Sequence, residues 1–136
     1  MILHTGTEVT NCPDDELRRV IGIWIAAGAD VVAISHPHVL QGVEIIDGAA
    51  VLWSTGNFAF RNRGGRTGRS AVFDVTLSEG APVITVHPTV LPGGTAASAL
   101  LGPAIQVINE VTVRSQGGRV GSDGVLIDST EPSLCD

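Results

Sequence analysis

The chain has 136 residues and a formal net charge of −6, and all eight of its basic residues are arginines. This length fits one domain or part of one, and the acidic balance argues against nucleic-acid binding through a general basic field. Hydrophobic residues make up 43% of the sequence, but no apolar run reaches the ~18–20 residues of a membrane-spanning helix, and the first residues lack the basic start of a signal peptide.

The first third of the chain predicts a βαβ unit. The run "MILH" is typical of the end of a buried strand, and "ADVVAIS" is typical of a strand covered on both faces. Between them, Asp14 begins and Gly28 ends a segment whose apolar residues recur at helical spacing: Leu17, Val20, Ile21 and Trp24. A strand, a helix and a strand in succession predict that the two strands are parallel.

The rest of the chain predicts hairpins, then a helix and a tail. The runs "VEIID" and "AAVLWST" flank Gly48 and predict two strands joined by a short turn. The alternating runs "SAVFDVTL" and "PVITVHPTVL" predict a second hairpin with its turn at 78–82. We expect a helix over 96–113 that is interrupted near Gly102 and Pro103 and closes a folded region 1–113. A flexible Gly/Ser/Asp-rich tail is expected over 114–136. Two cysteines, Cys12 and Cys135, are too few to define a disulfide framework and lack the spacing of a metal motif.

Three histidines follow the two parallel strands. His4 ends the first strand, and His36 and His38 flank Pro37 directly after the second, in "ISHPHVLQ". Ligand sites of parallel sheets form at the carboxyl ends of the strands, so the three imidazoles can converge. Imidazole is a common ligand of divalent transition metals, and the rigid proline limits the freedom of the turn between His36 and His38. The spacing is equally compatible with a metal site and with a structural hydrogen-bond network.

Other polar side chains near this edge have two interpretations each. Glu8 is either an acceptor that orients a metal-bound imidazole or a solvated loop carboxylate. Asn57, in "TGNF", either faces the site or bonds backbone groups in a tight turn. Gln41 is a candidate for holding the His-Pro-His turn in place. His87 lies in the middle of a later strand, and we interpret it as structural.

Half of the positive charge lies in one Gly-rich segment, "RNRGGRTGR". Its arginines are Arg61, Arg63, Arg66 and Arg69. One interpretation is a flexible, solvated loop. The other is an electropositive flap that binds an anionic ligand through the planar donor fork of arginine.

Residues 28–60, "GADVVAISHPHVLQGVEIIDGAAVLWSTGNFAF", resemble the signature of the CapA/PgsA family of poly-γ-glutamate capsule biosynthesis proteins. The resemblance rests on the Gly-Ala-Asp-Val-Val run, the His-Pro-His turn, Gln41, Glu44 and the Gly-Asn-Phe run. The segment from His4 to Glu8 is similar to the family's HWG-x-E motif. Three places differ from the family pattern: Thr5 replaces a tryptophan, Ser35 precedes His36, and "WST" replaces "YSL" before the Gly-Asn-Phe run.

The resemblance implies an α/β fold that is the C-terminal part of a four-layer α/β/β/α sandwich, as in calcineurin-like metallophosphoesterases. It implies His4, His36 and His38 as ligands of a divalent metal (Mn, Zn or Fe), with His36 and His38 catalytic. The remaining ligands would belong to an N-terminal half of the domain that is absent from this sequence, so this chain alone is expected to be a poor hydrolase.

For the intact protein, the resemblance implies synthesis or export of poly-γ-glutamate or a related anionic polymer, and a place in the cell envelope. The expected reaction is metal-assisted hydrolysis or transfer at a phosphate ester, and the four arginines would guide the polyanion. Two alternatives remain open: a non-catalytic polyanion-binding or scaffold module, and an inactive truncated fragment.

Overall fold

The computed structural model describes residues 1–58, 60, 65–90, 97–98, 107–108, 111, 118–120, 125–128 and 135. The elements whose bounds are described are an α-helix, a short 3₁₀ helix and nine strands. Their bounds are β1 (Ile2–His4), α1 (Asp15–Ala26), β2 (Val31–Ser35), β3 (Val43–Ile46), β4 (Ala49–Leu52), η1 (Gly65–Gly68), β5 (Arg69–Thr76), β6 (Val83–Val90), β7 (Ala97–Ser98), β8 (Gly118–Val120) and β9 (Leu126–Asp128).

The first sheet has the strand order β1-β2-β4-β3. Strands β1, β2 and β4 are parallel, and β3 pairs with β4 in the antiparallel direction. The turn between β3 and β4 is made by Asp47 and Gly48, both with positive φ (48° and 84°), as expected for a two-residue hairpin. The predicted βαβ unit and the first hairpin are confirmed.

Helix α1 begins where the sequence predicts. The carboxylate of Asp14 accepts a hydrogen bond from the backbone N–H of Leu17 at 2.8 Å, which satisfies one of the free amides of the first turn. The buried face of α1 carries Ile21 and Ile25, which pack on one face of the first sheet against Val32, Ile34, Val51 and Trp53. The periodicity of the sequence thus reports the packed face of the helix.

A second sheet, with the order β5-β6-β7, lies against the other face of the first. The shared core contains side chains from both sheets: Leu40, Val43, Ala50 and Leu52 with Ala71, Ile84 and Val86. Strands β5 and β6 form the second predicted hairpin, in register from Arg69 opposite Val90 to Thr76 opposite Val83. The described residues therefore form a mixed α/β arrangement of helix, sheet and sheet.

The predicted helix over 96–113 is wrong at its beginning. Ala97 and Ser98 form β7, which pairs antiparallel with the end of β6. The free edge of β6 offers backbone partners that outweigh the intrinsic helix preference of Ala97. Val107, Ile108 and Val111 are helical, and Val107 and Val111 are buried in the core between the sheets. The proposed interruption at Gly102 and Pro103 lies outside the described residues.

Parts of the segment 114–136 are described. Strands β8 and β9 form an antiparallel pair, and Cys135 is disulfide-bonded to Cys12, 123 residues earlier in the chain. The domain boundary at residue 113 and the flexibility of the tail stay predictions. No helix among the described residues is long and apolar enough to cross a bilayer.

Candidate metal centre

The three histidines lie together at the carboxyl ends of β1 and β2. The ring centroids of His4 and His36 are 4.9 Å apart, and those of His36 and His38 are 5.8 Å apart. His4 is the last residue of β1 and His36 directly follows β2. The parallel pairing of these strands is what brings residues so distant in sequence to one edge of the sheet.

The backbone of the His-Pro-His turn is unusual. His36 has a φ of 117° and His38 a φ of 60°, values that residues with a side chain rarely adopt. Pro37 between them is buried, and its carbonyl oxygen accepts a hydrogen bond from the N–H of Val9 at 2.8 Å. Strained residues persist where the surrounding structure holds them, and they concentrate at functional sites.

The β1–α1 loop, residues 5–14, packs on this turn. Gly6 has a φ of 113°, and a Cβ at this position would lie 3.2 Å from Cγ of Pro37. Only glycine combines this backbone conformation with so close an approach. The loop therefore reaches the turn closely enough to bring Glu8 beside the histidines.

Glu8, His36 and His38 form a compact group of donors. One ligand atom from each lies within 4.8 Å of the others, and Glu8 is exposed while the two histidines are half-buried. His4 stands beside this group, with its Nε2 atom 3.2 Å from Nδ1 of His36. The predicted set of His4, His36 and His38 is thus brought together, with Glu8 as a further candidate donor.

Asn57 fixes the orientation of His38. Its side-chain amide donates to the carbonyl oxygens of His38 and Thr67, at 3.2 and 3.1 Å. Its Oδ1 atom therefore faces Nδ1 of His38, at 2.8 Å, and must accept the proton carried there. The other ring nitrogen, Nε2, is left with its lone pair, which is the form in which imidazole binds a metal.

Gln41 acts on the loop and makes no described contact with a histidine. The side chain is 1% exposed, and its Nε2 donates to the backbone oxygen of Thr10 at 3.1 Å. It therefore ties the β1–α1 loop to the segment that follows the His-Pro-His turn.

The predicted arginine flap is partly described. Arg66 and Arg69 are half-buried, and Arg66 donates to the side chain of Asn11 in the β1–α1 loop. Arg61 and Arg63 lie outside the described residues. The polyanion-binding role of the four arginines stays a prediction.

An exposed aromatic ring borders the site. The ring of Phe60 lies 5.1 Å from that of His38, and Phe60 is 56% exposed. His87, by contrast, lies on β6 beside Asp74, with 3.5 Å between Nε2 and the carboxylate. His87 belongs to the second hairpin and makes no described contact with the other histidines.

One buried ion pair was not predicted. Glu44 of β3 is only 4% exposed, and both its oxygens accept hydrogen bonds from Arg18 of α1 at 3.0 Å. The Arg18 guanidinium also lies 4.8 Å from the centroid of the Trp53 ring. A glutamate inside the apolar run "VEII" is the sequence signal for such a pair, because a buried carboxylate needs a partner.

The donors fit a divalent cation. Imidazole nitrogen together with carboxylate oxygen suits Mn, Zn and Fe. His36 and His38 use Nδ1 for their contacts with His4 and Asn57, which leaves Nε2 of each ring to coordinate. Helix α1 on one face, a second sheet on the other, and this donor set at the strand ends define an α/β protein with a candidate metal centre.

Comparisons with known proteins agree on the family. The family model "Bacterial capsule synthesis protein PGA_cap" matches residues 1–62. The PGA biosynthesis protein CapA of Bacillus subtilis (strain 168) is 37% identical over 76 residues, which are 56% of this chain and 20% of that protein. The capsule biosynthesis protein CapA of Bacillus anthracis is 31% identical over 132 residues, which are 96% of this chain and 31% of that protein.

The chain belongs to the CapA family of bacterial capsule synthesis proteins. The matched part of the chain spans 20% and 31% of the length of these two relatives, so the similarity does not by itself assign their whole activity to this chain.

Proposed function

We propose that this chain contributes a divalent-metal site to a protein that acts in the synthesis or export of poly-γ-glutamate or a related anionic capsule polymer. The observation that carries the proposal is the convergence of Glu8, His36 and His38 within 4.8 Å. The names of the two relatives, which describe capsule and PGA biosynthesis, support the biological context.

In this proposal His36, His38 and Glu8 hold the ion, and His4 completes the imidazole set. Asn57 keeps the His38 ring in the orientation that presents Nε2. When bound, a Mn, Zn or Fe ion would supply Lewis-acid assistance to hydrolysis or transfer at a phosphate ester. The exposed ring of Phe60, 5.1 Å from that of His38, borders the space in which a substrate would lie.

The proposal extends to the rest of the protein. A two-metal phosphoesterase site needs further carboxylates to bridge the ions, and these would come from residues outside this sequence. In this proposal the same residues would also complete a four-layer sandwich, and the observed order of helix, sheet and sheet supports it. The cell envelope is the proposed location, because capsule polymers are made and exported there.

A second candidate function is a non-catalytic module that binds or organises the polymer. The hydrogen bond between His4 and His36 favours it, because the two rings already satisfy each other without an ion. In this alternative the histidines form a structural network, and the arginine segment contacts the polyanion.

Calorimetric titration of the metal-free, full-length protein with Zn²⁺ or Mn²⁺ distinguishes the two. We expect stoichiometric binding that His36→Ala weakens by at least ~100-fold, because a ligand is lost and even its supporting partners are typically worth 10–100-fold. His87→Ala is the matched control, because it removes a half-exposed imidazole from β6. Equal affinity in wild type and His36→Ala, or no binding in wild type, would favour the non-catalytic module.

A further inference from the structure

Ser35 is not one of the proposed metal ligands, but it lies beside two of them. It ends β2 and lies directly opposite His4 of β1 in the parallel register. Its hydroxyl is 3.1 Å from Nδ1 of His4 and donates to the carbonyl oxygen of Leu3 at 3.2 Å. Ser35 therefore contacts one histidine of the group and is the chain neighbour of another.

The single proton of the Ser35 hydroxyl determines which group donates in its contact with His4. A serine hydroxyl has one proton, and the carbonyl oxygen of Leu3 can only accept. The hydroxyl proton therefore goes to Leu3, and toward His4 the same oxygen can only accept. Both contacts form together only if Nδ1 of His4 carries the imidazole proton, which leaves Nε2 of His4 with a lone pair.

The same constraint passes to His36. Nδ1 of His36 lies 3.2 Å from Nε2 of His4. Because that Nε2 is an acceptor, His36 must donate through Nδ1, and its own Nε2 keeps a lone pair. One serine hydroxyl, anchored on a backbone carbonyl, thus orders the protons on two imidazoles.

We propose that Ser35 is a positioning residue that fixes His4 and His36 as their Nδ1–H tautomers, which leaves Nε2 of His36 available to a divalent cation. Partners behind a metal-binding histidine set its tautomer and ring orientation in this way. The effect on cation affinity rests on the proposed function, whereas the effect on the tautomers does not.

The tautomers can be read directly by ¹⁵N NMR of the metal-free, full-length protein labelled at histidine. The spectra are recorded at about pH 8.5, where neutral imidazole is the usual form. Signals are assigned with His4→Gln and His36→Gln. We expect the Nδ1–H form for both rings in the wild type. A wild-type His4 in the Nε2–H form would overturn the proposal without any Ser35 variant.

Variants of Ser35 test its causal role. Ser35→Ala should give His4 a mixture of tautomers and weaken Zn²⁺ binding by ~10-fold or more, and Ser35→Thr, which keeps a hydroxyl, should restore both. Ser78→Ala is the matched control, because the Ser78 hydroxyl lies in the exposed turn between β5 and β6.

Two outcomes separate this inference from the metal function. A folded Ser35→Ala protein with unchanged His4 signals overturns the role of Ser35, even if the protein binds Zn²⁺. The expected tautomer shift in a protein that binds no cation supports the role of Ser35 and contradicts the metal function.

Discussion

At the scale of single residues, the site depends on how each imidazole is held. His36 and His38 have positive φ values, which are unfavourable for residues with a side chain, so the surrounding structure must hold their backbone in place. Asn57 holds the ring of His38, and Asn57 is itself only 6% exposed and bonded to two backbone oxygens. The orientation of the rings therefore comes from neighbours that would not touch an ion.

Asn57 variants test this dependence. Asn57→Ala should weaken Zn²⁺ binding by ~10–100-fold, because His38 loses the acceptor at Nδ1. Asn57→Asp keeps an oxygen acceptor and should retain most of the affinity. Calorimetry on both variants, with circular dichroism to verify folding, provides the comparison. An equal loss in the two variants would mean that the amide donors matter and the acceptor does not.

At the scale of elements, α1 is fixed to the first sheet by apolar packing and by one buried ion pair. Glu44 of β3 points toward the helix, where Arg18 binds both of its oxygens and covers the Trp53 ring. A buried carboxylate without its partner keeps the full cost of desolvation. The pair therefore fixes the position of α1 over the sheet whose strand ends carry the histidines.

Arg18→Ala should lower the free energy of unfolding by about 3 kcal/mol, because Glu44 would remain as an uncompensated buried charge. Arg19→Ala is the matched control: Arg19 is the next residue of the helix, and its pair with Glu16 is exposed, at 61% and 71%. Exposed pairs contribute little to stability. Urea denaturation that shows the same small change for both variants would contradict a structural role for the buried pair.

At the scale of the whole molecule, the disulfide joins the two ends of the chain. Cys12 lies in the β1–α1 loop, which also carries Glu8, and Cys135 is 123 residues further on. Disulfides persist in oxidising compartments, which is consistent with the proposed place in the cell envelope. The bond thus links the C-terminal segment to the loop that approaches the metal centre.

Breaking this bond should destabilise the fold. Replacing both cysteines with serine should lower the free energy of unfolding by about 4–5 kcal/mol in the chain-entropy account of a loop this long. The wild type should lose thermal stability when dithiothreitol is added, and the double variant should not respond. A wild type that is indifferent to the reductant would show that the bond does not constrain the unfolded chain.

The sequence predicted those parts of the fold that repeat a local pattern. The helical spacing of Leu17, Ile21 and Trp24 and the alternation in β5 and β6 report which faces are buried, so α1 and both hairpins were predictable. Strand β7 was not, because its two residues acquire strand structure only by pairing with the edge of β6.

The sequence also predicted only part of the candidate site. The three histidines could be placed at one edge because parallel strands end there. The approach of Glu8 depends on the conformation of the β1–α1 loop at Gly6 and Val9, and the contact of Ser35 with His4 depends on strand register. Both are properties of the folded chain that no local pattern encodes.

The most direct test of the metal centre is anomalous diffraction from crystals of the full-length protein soaked in Mn²⁺ or Zn²⁺. We expect a peak at the ends of β1 and β2, at about 2.0–2.2 Å from nitrogens of His36 and His38 and from an oxygen of Glu8. A soaked crystal in which these rings are well ordered but no anomalous peak lies at this group would contradict the proposed metal centre.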